Sequence, residues 1–292
     1  MINGARTECG RVARRVKLIA RFYRTLNRFC DWLGGPLHEL FGVGASRYEF
    51  EELLGASPEV SGRLARSSAS LACRNWNHQR FVRRFGLESV QDSVSWARYP
   101  EELVQLQQQG KPVLLLGWHS GVPYGLAAGL SAEGLQALFC VGPPPPFQVP
   151  PGLTFVATSG GGLERAEALH RTLAHLRQGG TVYMVADSPT ISDNRVVLWG
   201  REVSMAPGIG LLAKVTGATV IPVATRWTKG GGIEIVCGDS LSSWQDEQEL
   251  YEKVGGWFEQ RFRYHPEELE QKYMMRWLYC PEDPTTSQRK VD

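Results

Sequence analysis

The residue best placed for proton transfer is His119. It follows the continuous apolar run Val113–Leu116, in the segment Gly117-Trp118-His119-Ser120-Gly121. Such a run is typical of a strand buried on both faces, and open α/β sheets bind ligands at the carboxyl ends of their strands. Since the pKa of imidazole lies near neutrality, His119 is predicted to be a general base. The alternative is a histidine that only caps the loop with a backbone hydrogen bond.

A carboxylate occupies the equivalent place after a second apolar run. Asp187 follows Thr181–Ala186 and precedes Ser188 and Pro189. Such a carboxylate could orient His119 and stabilise its imidazolium form, as the acid of a catalytic triad or dyad does. The alternative is an Asx turn, because Asp-Ser-Pro is also good turn chemistry.

A glycine-rich segment follows a third apolar run. Ser159-Gly160-Gly161-Gly162 lies between Leu153–Ala157 and a helical pattern that contains Arg165 in its first turn. The backbone N–H groups around Gly161, together with Arg165, could bind a phosphate or pyrophosphate. The simpler interpretation is that the glycines allow a tight strand-to-helix turn.

These residues need a scaffold in which strands and helices alternate. Further apolar runs predict strands at Leu135–Val141 and Thr219–Ala224, and Ile233–Val236 is predicted to form a hairpin with the latter. Helical spacing predicts helices over 65–84, 100–109, 163–177, 207–215, 244–263 and 266–278. The expected fold class is therefore α/β, with a mostly parallel central sheet flanked by helices and a helical N-terminal segment.

The N-terminal segment is strongly basic. Eight Arg or Lys residues between Arg6 and Arg28 face the single acid Glu8, and apolar residues recur between them every three or four positions. This pattern predicts an amphipathic helix, either lying on an anionic membrane surface or packed on its own domain. The predicted organisation is a membrane-surface helix over 1–35, one α/β domain over 36–280 and a flexible tail over 281–292.

Composition narrows the classes of function. The 292 residues carry 32 Lys and Arg against 30 Asp and Glu, so a strongly basic nucleic-acid binder is excluded. The six cysteines are far apart and give no metal-ligand spacing, which predicts reduced thiols, a cytoplasmic location and no metal site. The sequence contains no apolar run of about 18 residues that could span a membrane.

Four segments, taken in order, resemble one enzyme family. They are Val113-Leu-Leu-Leu-Gly-Trp-His119-Ser-Gly121, then Leu173 to Gly180 followed by Val182–Asp187, then Val196-Val-Leu-Trp199-Gly200 to Pro207-Gly208, and Leu212 to Val223. From about Arg63 to Leu278 the sequence resembles the lysophospholipid acyltransferase superfamily. Within it, the sequence is most similar to the bacterial lipid A late acyltransferases and the phosphatidylinositol-mannoside acyltransferases.

The resemblance implies a reaction and its partners. A fatty acyl group would pass from an acyl carrier protein or coenzyme A thioester, used as co-substrate with no resident cofactor, to a hydroxyl or amine of a membrane lipid or glycolipid. His119 would be the base, and Trp199, Gly200 and Pro207 would line the acceptor or acyl site. The resemblance also implies peripheral attachment to the cytoplasmic face of the inner membrane.

One position departs from the family pattern. The family has an acid five residues after its histidine, where this sequence has Tyr124. A tyrosine carries no negative charge at neutral pH, so Asp187, or less favourably Glu164, would have to replace that acid. If neither does, the protein would be an inactive lipid-binding homologue. A serine hydrolase built on Ser159, Asp187 or Asp239, and His265 is a further alternative.

Overall fold

The computed structural model describes residues 2–41, 46–158, 161–187 and 194–269. The predicted tail over 281–292 lies outside these residues, as does most of the predicted helix over 266–278. Within the described part, that helix reduces to a 3₁₀ turn, Pro266–Glu268, after which Leu269 is extended.

Helices and strands alternate along most of the chain. The helices are α1 Ile2–Phe41, α2 Arg47–Leu54, α3 Pro58–Phe85, α4 Glu101–Gln108, α5 Gly125–Ala132, α6 Gly162–Arg177, α7 Ile209–Thr216 and α8 Glu247–Tyr264. The strands are β1 Val94–Trp96, β2 Val113–Gly117, β3 Ala137–Val141, β4 Leu153–Ala157, β5 Thr181–Val185, β6 Arg195–Leu198, β7 Arg201–Ser204, β8 Thr219–Trp227 and β9 Ile233–Cys237. The predicted helices over 65–84 and 163–177 and the five predicted long strands are all present.

Seven strands form the central sheet, in the order β1-β9-β8-β2-β5-β3-β4. The five strands from β8 to β4 are mutually parallel, whereas β9 runs antiparallel to β8 and β1 is parallel to β9. The predicted fold class, a mostly parallel sheet flanked by helices, is therefore confirmed. A separate two-stranded hairpin, β6–β7, is antiparallel.

The two faces of the sheet carry separate hydrophobic cores because successive side chains of a strand point to opposite faces. On β2, Leu114 and Leu116 pack with residues of α6, α7 and α8. Val113 and Leu115 pack on the other face with residues of α1, α3, α4 and α5. Burial on both faces explains why β2 reads as an uninterrupted apolar run.

The N-terminal helix α1 does not end at the predicted domain boundary. It continues past residue 35, through Pro36, to Phe41, and one face of it packs on α3 through Tyr23, Asn27 and Cys30. Residues 21–41 are therefore part of the helical layer beside the sheet. Among the described helices, none is long and apolar enough to cross a membrane.

Candidate functional site

His119 and Asp187 are brought together by the register of two neighbouring strands. In the parallel pair β2–β5, Gly117 lies opposite Val185. His119 and Asp187 each lie two positions after their strand's residue in this pair, so they are at the same level of the sheet edge. Nδ1 of His119 donates to Oδ2 of Asp187 at 2.8 Å, and the backbone N–H of His119 donates to Oδ1 at 2.9 Å. Asp187 is only 1% exposed, whereas the His119 side chain is 24% exposed. One carboxylate thus fixes both the ring and the backbone of the histidine.

Gly117 is needed where β2 meets this site. A Cβ at position 117 would lie 2.2 Å from the Tyr183 hydroxyl oxygen, so the tyrosine ring occupies the space that a side chain would need. Burial, and secondarily the charge of Asp187, raises the pKa of Tyr183, which keeps its hydroxyl a neutral hydrogen-bond donor. Tyr183 was not predicted from the sequence, although its place in the apolar run 181–186, three residues before the end of that run, is a signal for it.

The loop after His119 is fixed from three directions. Asn75 on α3 donates to the carbonyl of Gly121 at 2.8 Å, and the N–H of Gly121 donates to the carbonyl of Glu268 at 3.0 Å. The N–H of Val122 donates to the Thr225 hydroxyl at 2.9 Å. Gly121 itself has a φ of +70° and its missing Cβ would lie 1.9 Å from the Thr225 carbonyl oxygen, so only glycine fits.

His119 and Asp187 lie at a cavity of about 910 Å³. Its wall combines the middle turns of α3 with the carboxyl-terminal parts of β3 and β5, the loop after β2, the middle of β8 and the start of α5. Apolar side chains predominate, and no Lys or Arg is among the described lining residues. The main contributors are Leu71, Trp76, Trp118, Tyr124, Leu126, Phe139, Val141, Tyr183, Met184, Val185, Ala206 and Val223.

An acidic side chain closes one part of the cavity wall. Glu268 is buried beside Arg261, with which it forms an ion pair. Burial raises the pKa of Glu268 to about 7, against the opposing effect of Arg261. No local sequence pattern marks a glutamate in a short turn as buried, so Glu268 was not predicted.

Tyr124 contributes an aromatic wall to the cavity. It immediately precedes α5 with a φ of +59°, which is rare for a bulky residue. Its ring meets Phe147 edge-on at a centroid distance of 5.0 Å. Burial raises the pKa of Tyr124, so it is neutral and cannot supply the negative charge that a motif acid would bring. The contact of Asp187 with His119 leaves no such role for Glu164, which is exposed in the first turn of α6.

The predicted phosphate-binding residues lie apart from this cavity. Gly161 caps α6 and Arg165 is exposed one turn later, and neither is part of the cavity wall. The remainder of the predicted cradle, Ser159 and Gly160, lies outside the described residues.

The residues predicted to line the acceptor or acyl site, Trp199, Gly200 and Pro207, are not among the residues that line this cavity. Trp199 and Gly200 form the two-residue turn of the β6–β7 hairpin, with φ values of +53° and +74°, as a type I′ turn requires. The Trp199 N–H donates to Glu259 at 3.0 Å. Pro207 is exposed before α7, and of this segment only Ala206 reaches the cavity wall.

The histidine of the hydrolase alternative has other partners. His265 ends α8, where its Nε2 lies 3.2 Å from a guanidinium nitrogen of Arg226 and its Nδ1 lies 3.6 Å from Glu267. Asp187, one of the two acids of that alternative, is bound to His119 instead. Ser159 lies outside the described residues.

Comparison with known proteins bears on the enzyme class. The model of the family described as bacterial lipid A biosynthesis acyltransferase matches residues 155–275, a segment that contains Asp187 and begins after His119. The crystal structure of the 1-acyl-sn-glycerophosphate (LPA) acyltransferase PlsC from Thermotoga maritima aligns with a TM-score of 0.40 and 13% sequence identity, covering 85% of this chain and 98% of that one. No curated protein sequence matches significantly. The acyltransferase prediction from the sequence motifs is confirmed by the family match.

Proposed function

We propose that the chain is an acyltransferase of the lysophospholipid acyltransferase superfamily and that His119 and Asp187 form its catalytic dyad. The match of residues 155–275 to the bacterial lipid A biosynthesis acyltransferase family supports this enzyme class. The observation that carries this proposal is the double hydrogen bond from His119 to one buried carboxylate, at the wall of an apolar cavity. Asp187 takes the place of the acid that the family has at position 124.

The dyad would act by general base catalysis. With its Nδ1–H donated to Asp187, the imidazole carries its lone pair on Nε2. That nitrogen would accept the proton of an acceptor hydroxyl or amine while the oxygen or nitrogen attacks the thioester carbonyl carbon. The carbon–sulfur bond then breaks, and the thiolate leaves with the proton from the imidazolium. Asp187 holds the tautomer and stabilises the imidazolium between the two steps.

The cavity indicates the class of donor. Its wall is mainly aliphatic and aromatic, which suits a fatty acyl chain rather than a polar metabolite. The neutral hydroxyl of Tyr183 lies in that wall and could donate to the oxyanion of the tetrahedral intermediate. The donor is an acyl carrier protein or coenzyme A thioester, which is a co-substrate, and the chemistry needs no resident cofactor or metal.

The acceptor would be a membrane lipid or glycolipid. The match to the bacterial lipid A biosynthesis acyltransferase family supports a lipid acceptor, and the protein would meet it while bound peripherally to the cytoplasmic face of the inner membrane. A bound glycolipid, of the lipid A or phosphatidylinositol-mannoside kind, is the acceptor that the sequence resemblance favours.

Thioester turnover tests the proposal. Purified protein is incubated with acyl-coenzyme A or acyl-carrier protein and a bacterial lipid extract, and both thiol release and new acylated lipid are measured. We expect His119→Ala to abolish transfer. Asp187→Asn should lower turnover by about 10²–10⁴-fold, because the amide favours the wrong imidazole tautomer.

Fluorophosphonate labelling and vesicle binding provide the controls. Labelling of wild type at Ser159, with turnover unchanged in His119→Ala, would support the serine hydrolase instead. Wild type and His119→Ala that are equally inactive but equally able to bind lipid would support an inactive lipid-binding homologue.

A further inference from the structure

The packing of α1 on α3 brings together two cysteines that are far apart in the sequence. The thiol groups of Cys30 on α1 and Cys73 on α3 are hydrogen-bonded to each other. The next residue of each helix is also paired, because Asp31 forms an ion pair with Arg74. Two consecutive residues of α1 therefore meet two consecutive residues of α3, and the two thiols lie at the centre of the contact between the helices.

The backbones of the two helices approach closely at this level. Asn77 donates to Asn27 at 2.8 Å, and a Cβ at position 34, where the chain has glycine, would lie 2.7 Å from the Cα of Ser70. The partner on α3 moves back along the chain as α1 advances, so the helices are antiparallel, and the two cysteines lie between these two contacts. A disulfide needs such an approach, because its Cα atoms are usually only about 4.4–6.8 Å apart.

The two thiols differ in their access to solvent. Cys30 is 4% exposed, whereas Cys73 is only half-buried. Burial raises the pKa of Cys30 to about 12, so this thiol is protonated at neutral pH. A small oxidant in the solvent therefore reaches the sulfur of Cys73 first, and the sulfur of Cys30 is already in position to attack the oxidised product.

We propose that Cys30 and Cys73 form a modification site, a dithiol that hydrogen peroxide oxidises to a disulfide between α1 and α3. The deprotonated sulfur of Cys73 first attacks one oxygen of the peroxide. The O–O bond breaks, Cys73 becomes a sulfenic acid, and the released hydroxide takes up the proton that the thiol lost. The sulfur of Cys30 then attacks the sulfur of Cys73. The S–O bond breaks as the S–S bond forms, and the hydroxide leaves as water with the proton of Cys30. Together the two thiols lose two electrons and two protons, and one peroxide is reduced to two waters.

The disulfide fixes α1 covalently to the domain. It closes the chain from residue 30 to residue 73 into a loop, which restricts the unfolded chain and so stabilises the folded one. Thiol reductants reverse the reaction, as they reverse the transient disulfides of redox-sensing proteins in reducing compartments. The site is separate from His119 and Asp187 and does not depend on the proposed acyl transfer.

Peptide mapping of the full chain tests the cross-link. The protein is treated with hydrogen peroxide, its remaining thiols are blocked with iodoacetamide, and it is digested with trypsin without reduction. Cys30 and Cys73 then lie in separate peptides, 29–47 and 67–74, with one cysteine each. We expect these two peptides to be joined after peroxide and separate after dithiothreitol. Cross-linking of Cys30 to any other cysteine, or full alkylation of both peptides after peroxide, would overturn the proposal.

Dimedone, which traps sulfenic acids, tests the order of the two steps. In Cys30→Ser the sulfenic acid of Cys73 has no thiol beside it, so we expect dimedone to label Cys73. In Cys73→Ser we expect no label on Cys30. Cys237→Ser removes a half-buried cysteine on β9 as the matched control, and it should form the cross-link as wild type does. Labelling of Cys30 in Cys73→Ser would overturn the assignment of Cys73 as the sulfur that peroxide attacks.

Urea denaturation measures the effect of the cross-link on stability. The midpoint for the oxidised wild type should exceed that for the reduced wild type by about 0.5–1 M. In Cys30→Ser, peroxide and dithiothreitol should give the same midpoint, because no cross-link forms. Equal midpoints for cross-linked and reduced wild type would overturn the stabilising role of the disulfide.

Discussion

At the scale of single residues, the proposed dyad takes its acid from the end of another strand. In the family pattern the acid is local to its histidine, five residues later. Here Tyr124 occupies that position, and Asp187 reaches His119 from the end of the neighbouring strand β5. Because Asp187 contacts both Nδ1 and the backbone N–H, its carboxylate is held by two hydrogen bonds, and burial strengthens its electrostatic effect on the ring.

This replacement predicts that the Tyr124 hydroxyl is dispensable. Tyr124→Phe keeps the ring against Phe147 and removes only the hydroxyl, so turnover should stay within about twofold of wild type while Asp187→Asn fails. Steady-state thioester turnover measures both. A Tyr124→Phe variant as slow as Asp187→Asn would show that the phenol takes part in catalysis.

At the scale of elements, α3 has two separate functions in the scaffold. Its face toward α1 is held by Arg74 and Asn77, and Asn75 holds the loop after His119. Asn75 accepts a hydrogen bond from the Trp227 indole at 2.9 Å as it donates to the Gly121 carbonyl. The amide therefore bridges β8 to the loop that contains His119.

The bridge predicts a positioning role for Asn75. Asn75→Ala removes both hydrogen bonds and should lower the free energy of unfolding by about 1–3 kcal/mol, together with turnover. Asn77→Ala is the matched control, because Asn77 bonds to Asn27 at 2.8 Å without contacting the loop. The free energy of unfolding, from urea denaturation, and the turnover are measured for both variants. We expect the two variants to lose similar stability. Turnover should fall in Asn75→Ala and stay unchanged in Asn77→Ala. Equal turnover in the two variants would contradict the positioning role.

At the scale of the whole molecule, attachment of α1 to the domain depends on a buried neutral histidine. The Tyr23 hydroxyl donates to Nδ1 of His78 at 2.6 Å, inside a cluster that includes Phe81 and Trp227. His78 has no exposed surface, and burial lowers its pKa from 6.5 to about 4. Between about pH 4 and pH 6.5, His78 is therefore neutral in the folded protein and protonated in the unfolded chain.

The sign of this shift predicts acid sensitivity. Because the folded pKa is the lower one, the contribution of His78 to stability is present above about pH 6.5 and is lost as the pH falls toward 4. The loss amounts to about 3 kcal/mol for a shift of this size. The free energy of unfolding, measured by urea denaturation, should differ less between pH 7 and pH 5 in His78→Asn than in wild type. His170→Asn, at an exposed position on α6, should behave as wild type, and an unchanged difference in His78→Asn would refute the assignment.

The sequence by itself determined the alternation of strands and helices, and it singled out His119 and Asp187, the two residues of the proposed dyad. These features are local: an apolar run buried on both faces identifies a strand, and the residue after it lies at the ligand-binding edge. His119 and Asp187 were both found in this way. The burial of His78 and Glu268 could not be predicted from the sequence, because no local pattern distinguishes a buried polar residue from an exposed one.

Only the tertiary structure decided how these pieces meet. The adjacency of β2 and β5, whose first residues are 68 positions apart in the sequence, selects Asp187 over Glu164 as the partner of His119. Likewise, the placement of Trp199 and Gly200 in the turn of the β6–β7 hairpin, with positive φ angles, is seen only in the structure. The contact between Cys30 and Cys73 follows from which face of α1 packs on α3. Strand order, cavity walls and exposed surfaces depend on contacts between distant segments, which periodicity along one segment does not specify.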